Sequence, residues 1–119
     1  MEEYEMVLIE ALIKHFKLDD VKEALEEVGI GGMTVTEVMQ TSMSKLRGRS
    51  PVSRESFSGL FPKTKIEIAV PAALAERALE AICLHGSTGK NEDGIIVVKR
   101  IEGAMRIRTG ETDSSALAP

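Results

Sequence analysis

Three features of the sequence predict an α+β domain: four short extended apolar runs, two amphipathic helical repeats set between runs one and two and between runs three and four, and connections that are short everywhere but once. The order β-α-β-β-α-β is the double split βαβ arrangement, a ferredoxin-like fold with both helices on one face of an antiparallel sheet. With 119 residues the chain is one domain by length. Residues 1–112 are expected to form it, and residues 113–119 are expected to be a disordered tail.

The first run, Met6-Val7-Leu8-Ile9 followed by Ala11-Leu12-Ile13, is too short to span a membrane and rich in branched side chains, which suits a buried strand. Asp19 and Asp20 then offer a cap and first-turn negative charge. Val21, Ala24, Leu25 and Val28 fall at i, i+3, i+4, i+7, and Gly29 supplies the stop, so a helix is expected. Residues 33–39, rich in threonine and valine, read as the second strand. In residues 63–70 alternation is strict, with Ile66, Ile68 and Val70 toward the core and Lys65 and Glu67 away from it. Pro71 at the first helical position, then Ala75, Ala78, Leu79 and Ile82, define the second helix. Ile95-Ile96-Val97-Val98 is the fourth strand. One sheet face stays uncovered, and an apolar face of that kind argues for oligomerisation in a closed ring.

Between strands two and three, residues 40–60 lose the apolar pattern. Serines mix there with Lys45, Arg47, Arg49 and Arg54 against one acid, Glu55. A loop of this length is unusual in a compact domain, and the reading favoured is a mobile arm that contacts a partner.

The formal net charge of −4 argues against nonspecific nucleic-acid binding. The single cysteine, Cys83, rules out an internal disulfide and is read as core filler in a helix, and neither histidine has metal-ligand company. With no signal-like or membrane-spanning run, a cytoplasmic protein is the default, recruited to a membrane only through a partner. No serine has a credible base, so an enzyme is disfavoured. An RNA-recognition surface would need stacked aromatics on adjacent central strands, and only Tyr4, Phe16, Phe57 and Phe61 are available.

The chemistry that stands out is near the C-terminal side. The glycine-bearing turn Thr88-Gly89-Lys90-Asn91-Glu92-Asp93-Gly94 is followed by Arg106-Ile107-Arg108-Thr109-Gly110-Glu111. Glycines let backbone N–H groups approach an anion, and arginines at i, i+2 on an extended segment project from one face, where two guanidinium forks suit a polyphosphate. The competing reading is a hairpin turn beside an edge strand with solvated arginines.

These blocks, together with Phe16-Lys17-Leu18-Asp19-Asp20-Val21, Gly32-Met33-Thr34-Val35-Thr36-Glu37-Val38 and Pro62-Lys63-Thr64-Lys65-Ile66-Glu67-Ile68, resemble the PII family of trimeric signal-transduction proteins over about residues 6–112. The resemblance implies a homotrimer that binds adenine nucleotides between subunits, with the long loop as the effector arm or T-loop, the glycine turn as the B-loop and the arginine segment as the C-loop. It implies that Arg106 and Arg108 hold phosphates, that the backbone around Asp93 and Gly94 supplies N–H donors beside Lys90, and that Thr34, Glu67 and the backbone near Ala69 frame adenine and ribose.

The departures from the family pattern cluster at the phosphate end. Ser44 stands for the glutamine that coordinates magnesium in the nitrogen sensors, Glu92 for a glycine, Ile95 for a lysine that meets phosphate and oxo-acid, and Ser56 for the modified tyrosine. An added carboxylate and a lost ammonium disfavour the most highly charged nucleotide, so ADP or AMP is expected over ATP, unless Lys45 or Arg47 folds back to replace the charge. Loss of the oxo-acid equipment makes the bicarbonate-linked members the nearer likeness, with bicarbonate as second ligand and a membrane transporter or another regulated protein as the partner. The alternative is a nitrogen-regulatory PII protein sensing ATP, ADP and 2-oxoglutarate. No catalytic cofactor or metal is expected.

Overall fold

Alternation of branched residues drives the first strand, β1 (Met6–Ile13), into the middle of the sheet, where Val7, Ile9, Ala11 and Ile13 are all buried. A computed structural model describes residues 5–41, 60–90 and 93–118. Beyond β1 it contains a 3-10 turn (His15–Lys17), α1 (Leu18–Val28), β2 (Thr34–Thr41), β3 (Leu60–Pro71), α2 (Ala72–Gly86), β4 (Ile96–Arg100) and a second 3-10 helix (Asp113–Leu117). The sheet order is β2-β3-β1-β4, antiparallel throughout, which is the expected ferredoxin-like topology.

The register follows the hydrophobic pattern. Val7 faces Val70, Ile9 faces Ile68 and Ala11 faces Ile66, so both central strands present one apolar face to the helices, as a period of two requires. Val21 and Leu25 from α1 and Ala75, Ala78 and Ile82 from α2 complete that core. Alanines on α2 keep the two helices close. Gly29 ends α1 at φ 106°, a left-handed conformation in which a Cβ would be strained.

Four local expectations are corrected. Asp19 does not cap α1; the 3-10 turn runs straight into it through Lys17, and Asp19 and Asp20 lie in the first helical turn. Pro71 is the residue before α2, with ψ 145°, because it still pairs with Met6 in the sheet. Cys83 is exposed, since one step beyond Ile82 turns a helical side chain about 100° away from the core. Residues 113–117, expected to be disordered, form the second 3-10 helix, held by Asp113 N donating to Ala104 O (2.8 Å).

The open sheet face is mixed, not uniformly apolar: Leu8, Leu12, Ala69 and Val97 share it with Glu10, Lys65, Glu67 and Lys99. The register places Glu10 opposite both Glu67 and Val97 on it. Glu10 accepts from Lys99 Nζ (2.9 Å) and pairs with Lys65 Nζ (3.4 Å). Lys99 above all holds the Glu10 carboxyl below its ordinary range, with Glu67 and Lys65 adding to the effect against burial. Charge ladders at outward positions of β1 and β3 thus replace apolar ones at the centre, and Val97 stays exposed beside them. Among the described residues, no helix is long and apolar enough to cross a membrane.

Candidate functional site

Residues predicted to bind one ligand fall into two groups on opposite edges of the sheet. The first surrounds a cavity of about 610 Å³ at the β2 edge, lined by the turn from Gly29 to Gly32, by Thr34, Glu67, Ala69 and Arg106, and by part of the segment 113–118. This position follows from the strand lengths. Thr34, the first residue of β2, pairs with Glu67, so β3 runs on past it to Pro71 with no part of β2 alongside. A strand edge left without a neighbour offers backbone donors and acceptors to a ligand.

Arg106 reaches this cavity because the arginine segment is not extended. Arg106 N donates to Glu111 O and Gly110 N donates to Arg106 O, both at 2.8 Å, so residues 106–111 form a tight turn, with Gly110 at φ 76°. The expectation that Arg106 and Arg108 share one face is therefore corrected: the reversal leaves Arg108 exposed in the turn and Ile107 fully exposed, while Arg106 is half-buried. Arg106 Nη2 donates to Ala116 O (3.0 Å) and to Ala118 O. Its Nε is buried, has no hydrogen-bond partner among the described residues and lies 3.6 Å from Glu111 Oε1.

The second group is the glycine turn, which stands before β4 at the other edge. Lys90 is exposed on it. Its shape is set by one side chain. Asp93 Oδ2 accepts from the amides of Thr88 and Gly89, both at 2.9 Å, and from the Ser87 hydroxyl at 3.1 Å, while Oδ1 accepts from the Thr88 hydroxyl. Lys14 Nζ donates to Thr88 Oγ1 (3.3 Å) and lies 3.9 Å from Asp93 Oδ1, tying the turn to the end of β1. Asp93 N donates to Lys90 O (3.1 Å), so that amide is engaged within the loop. Gly94 passes so close to β1 that an added Cβ would lie 2.0 Å from Leu12 O.

The Thr88 hydroxyl above all, then the Thr88 and Gly89 amides and the Ser87 hydroxyl, hold the Asp93 carboxyl far below its ordinary 3.8, against the opposing effect of burial. A carboxyl depressed on folding contributes stability that is fully present above its unfolded pKa and is lost as pH falls toward the folded value. Asp93→Asn is therefore expected to lower stability most above about pH 5, with the gap to the parent closing below pH 3.8. Urea titrations between pH 2.5 and 7 measure this; a gap that does not change with pH would contradict it.

Lys14, Ser87 and Leu117 were not foreseen as contributors. Lys14 meets partners 74 or more residues away, and no local pattern announces such a contact. Ser44, Lys45, Arg47, Arg49, Arg54, Ser56 and Glu92 lie outside the described residues. Among the described residues, no three of His, Cys, Asp and Glu come together as a metal site.

The two edges are separated by β1 and β3. Three inter-strand steps of about 4.8 Å put roughly 14 Å between β2 and β4, before the loops are counted. The two groups therefore lie at different edges of the same chain.

Comparison with known proteins finds that residues 6–111 match the family model described as nitrogen regulatory protein P-II. A nitrogen regulatory protein P-II of Rhizobium etli is 49% identical over 114 residues, covering 94% of this chain and all of that protein. The proteins of that name from Haemophilus influenzae, at 45%, and Escherichia coli, named P-II 1, at 46%, have the same coverage.

Proposed function

Because this chain belongs to the nitrogen regulatory protein P-II family, we propose that it is a trimeric regulator that binds adenine nucleotide at clefts between subunits and signals to a regulated protein through the T-loop at residues 40–60. The observation that carries this reading is the division of the candidate site. Thr34, Glu67, Ala69 and Arg106 line one edge and the glycine turn occupies the other, an arrangement in which a second copy would bring an Arg106 edge against a glycine-turn edge. The cavity edge provides a surface for adenine and ribose and one guanidinium; the facing turn adds Lys90 and the amides around Gly94. Arg108, exposed in its turn, is positioned to reach outward from the cavity.

Ile95, 61% exposed where an ammonium would help bind phosphate, supports ADP or AMP over ATP. The second ligand we propose is 2-oxoglutarate, because the relatives' names all specify nitrogen regulation. Bicarbonate, favoured by the sequence alone, has less support; what speaks for it is the same Ile95. The partner is a protein under this regulation, with a membrane transporter one candidate.

Calorimetric titration with ATP, ADP and AMP, each repeated with 2-oxoglutarate and with bicarbonate, tests the reading. Adenine nucleotide and 2-oxoglutarate are expected to tighten each other's binding by the same factor, since coupling is reciprocal. Coupling to bicarbonate alone would replace the nitrogen reading with the carbon one, and absence of nucleotide binding would contradict both.

A further inference from the structure

We propose that the segment 113–118 is an internal competitor for the nucleotide cavity, a cap that must leave before Arg106 can receive phosphate; this rests on the nucleotide reading above. Thr112 bridges back to Met105, and Asp113 at φ 57° then turns the chain over the cavity, a left-handed conformation that aspartate tolerates better than most residues. The 3-10 helix that follows packs on β3, and Ser114, Ala116, Leu117 and Ala118 line the same cavity as Thr34, Glu67 and Ala69. The carbonyls of Ala116 and Ala118 both take Arg106 Nη2. Two backbone oxygens thus sit where a phosphate would offer charged ones.

The cap is built to yield. None of its residues is fully buried, so little apolar area holds it down. Its acceptors are neutral, whereas a guanidinium binds an anionic oxygen about twice as strongly. Arg106 Nε, 3.6 Å from Glu111 Oε1, is buried and has no hydrogen-bond partner among the described residues, so it is a donor that an arriving phosphate can satisfy. A site open for only a fraction of the time has its apparent affinity reduced by that fraction. The cap therefore raises the nucleotide concentration needed for occupancy and selects for ligands whose phosphates can displace carbonyls; a nucleoside without phosphate cannot.

Deletion of residues 113–119, compared with the full chain by calorimetry with ADP, tests the cap. The shortened chain is expected to bind ADP about tenfold more tightly, corresponding to a cap closed roughly nine-tenths of the time. In the full chain, ADP is expected to speed hydrogen exchange at the Asp113 amide, which is bound to Ala104 O in the capped state. Equal or weaker ADP affinity after deletion, with Asp113 exchange unchanged by ADP, would overturn the cap. In that event, weaker ADP binding by Arg106→Ala at both chain lengths would leave the nucleotide reading standing. No ADP binding by either length would overturn both.

Discussion

Arg106→Ala is expected to weaken ADP binding about ten- to a hundredfold in a protein that stays folded. A charge-assisted hydrogen bond contributes roughly 1.5–3 kcal/mol, and Arg106 is the half-buried cation of the cavity, reaching it from a turn outside the hydrophobic core. Its removal takes away contacts to Ala116, Ala118 and Glu111, all near the surface, so the thermal unfolding midpoint is expected to move little. Arg108→Ala is expected to cost less, because Arg108 is exposed in the turn and must give up more hydration to meet phosphate. Calorimetry on both variants, with unfolding curves alongside, measures this. Unchanged ADP affinity in folded Arg106→Ala would make the arginine a structural clasp for the segment 113–118 and nothing more.

Gly94→Ala is expected to damage stability and binding together. The new Cβ would lie 2.0 Å from Leu12 O and 2.8 Å from Leu12 Cβ, with Leu12 C at 2.9 Å. Two of these three atoms are backbone in the central strand, so no side-chain rotation relieves the clash. Either the glycine turn moves or β1 and β4 separate near Leu12, whose amide donates to Ile95 O at 3.2 Å. Overpacking of this kind costs about 1–3 kcal/mol. A displaced turn would carry Lys90 out of position, so ADP affinity is expected to fall as well. Urea unfolding and an ADP titration on one preparation measure both effects; a variant with the parent's midpoint would contradict the close approach.

Much of the fold was legible because burial on one face imposes a period that the residues obey. Ile66, Ile68 and Val70 fixed the face of β3, Val21 and Leu25 that of α1, and Gly29 its end. The errors have physical causes. Cys83 satisfies a loose helical pattern, yet the buried face of α2 is made by Ala75, Ala78, Ile82 and Gly86, and Cys83 falls outside it. The i, i+2 spacing of Arg106 and Arg108 suggested a strand, but Gly110 reverses the chain and separates them. The central charges of the open sheet face could be read at Glu10, Lys65 and Glu67 one at a time; their meeting depends on a register that joins residues far apart in the chain.

The candidate site was legible only in parts. Thr34, Glu67, Ala69 and Arg106, each expected from the sequence, line one cavity. Lys90, Asp93 and Gly94 are legible as a turn, but their division onto the other edge is a property of strand order, and strand order is invisible in local pattern. The sequence points to the backbone of Asp93, whereas its side chain is what shapes the turn. The segment 113–118 has a composition with too little apolar surface to signal order, and it is ordered by contacts with Arg106 and β3 that no local rule anticipates.

Subunit mixing tests the central claim, a nucleotide site assembled from two chains. Arg106→Ala removes one half of the cleft, and Lys90→Glu, at an exposed position, places a repelling charge on the other. Each variant alone is expected to bind ADP poorly. Co-expressed in equal amounts, the two chains assort at random, and about a quarter of the clefts combine an intact Arg106 edge with an intact Lys90 turn. ADP titration of the mixed oligomer is expected to recover parent-like affinity in that fraction of sites. No recovery in mixed oligomers confirmed by mass spectrometry would contradict the account, because a site contained within one chain cannot be repaired by its neighbour.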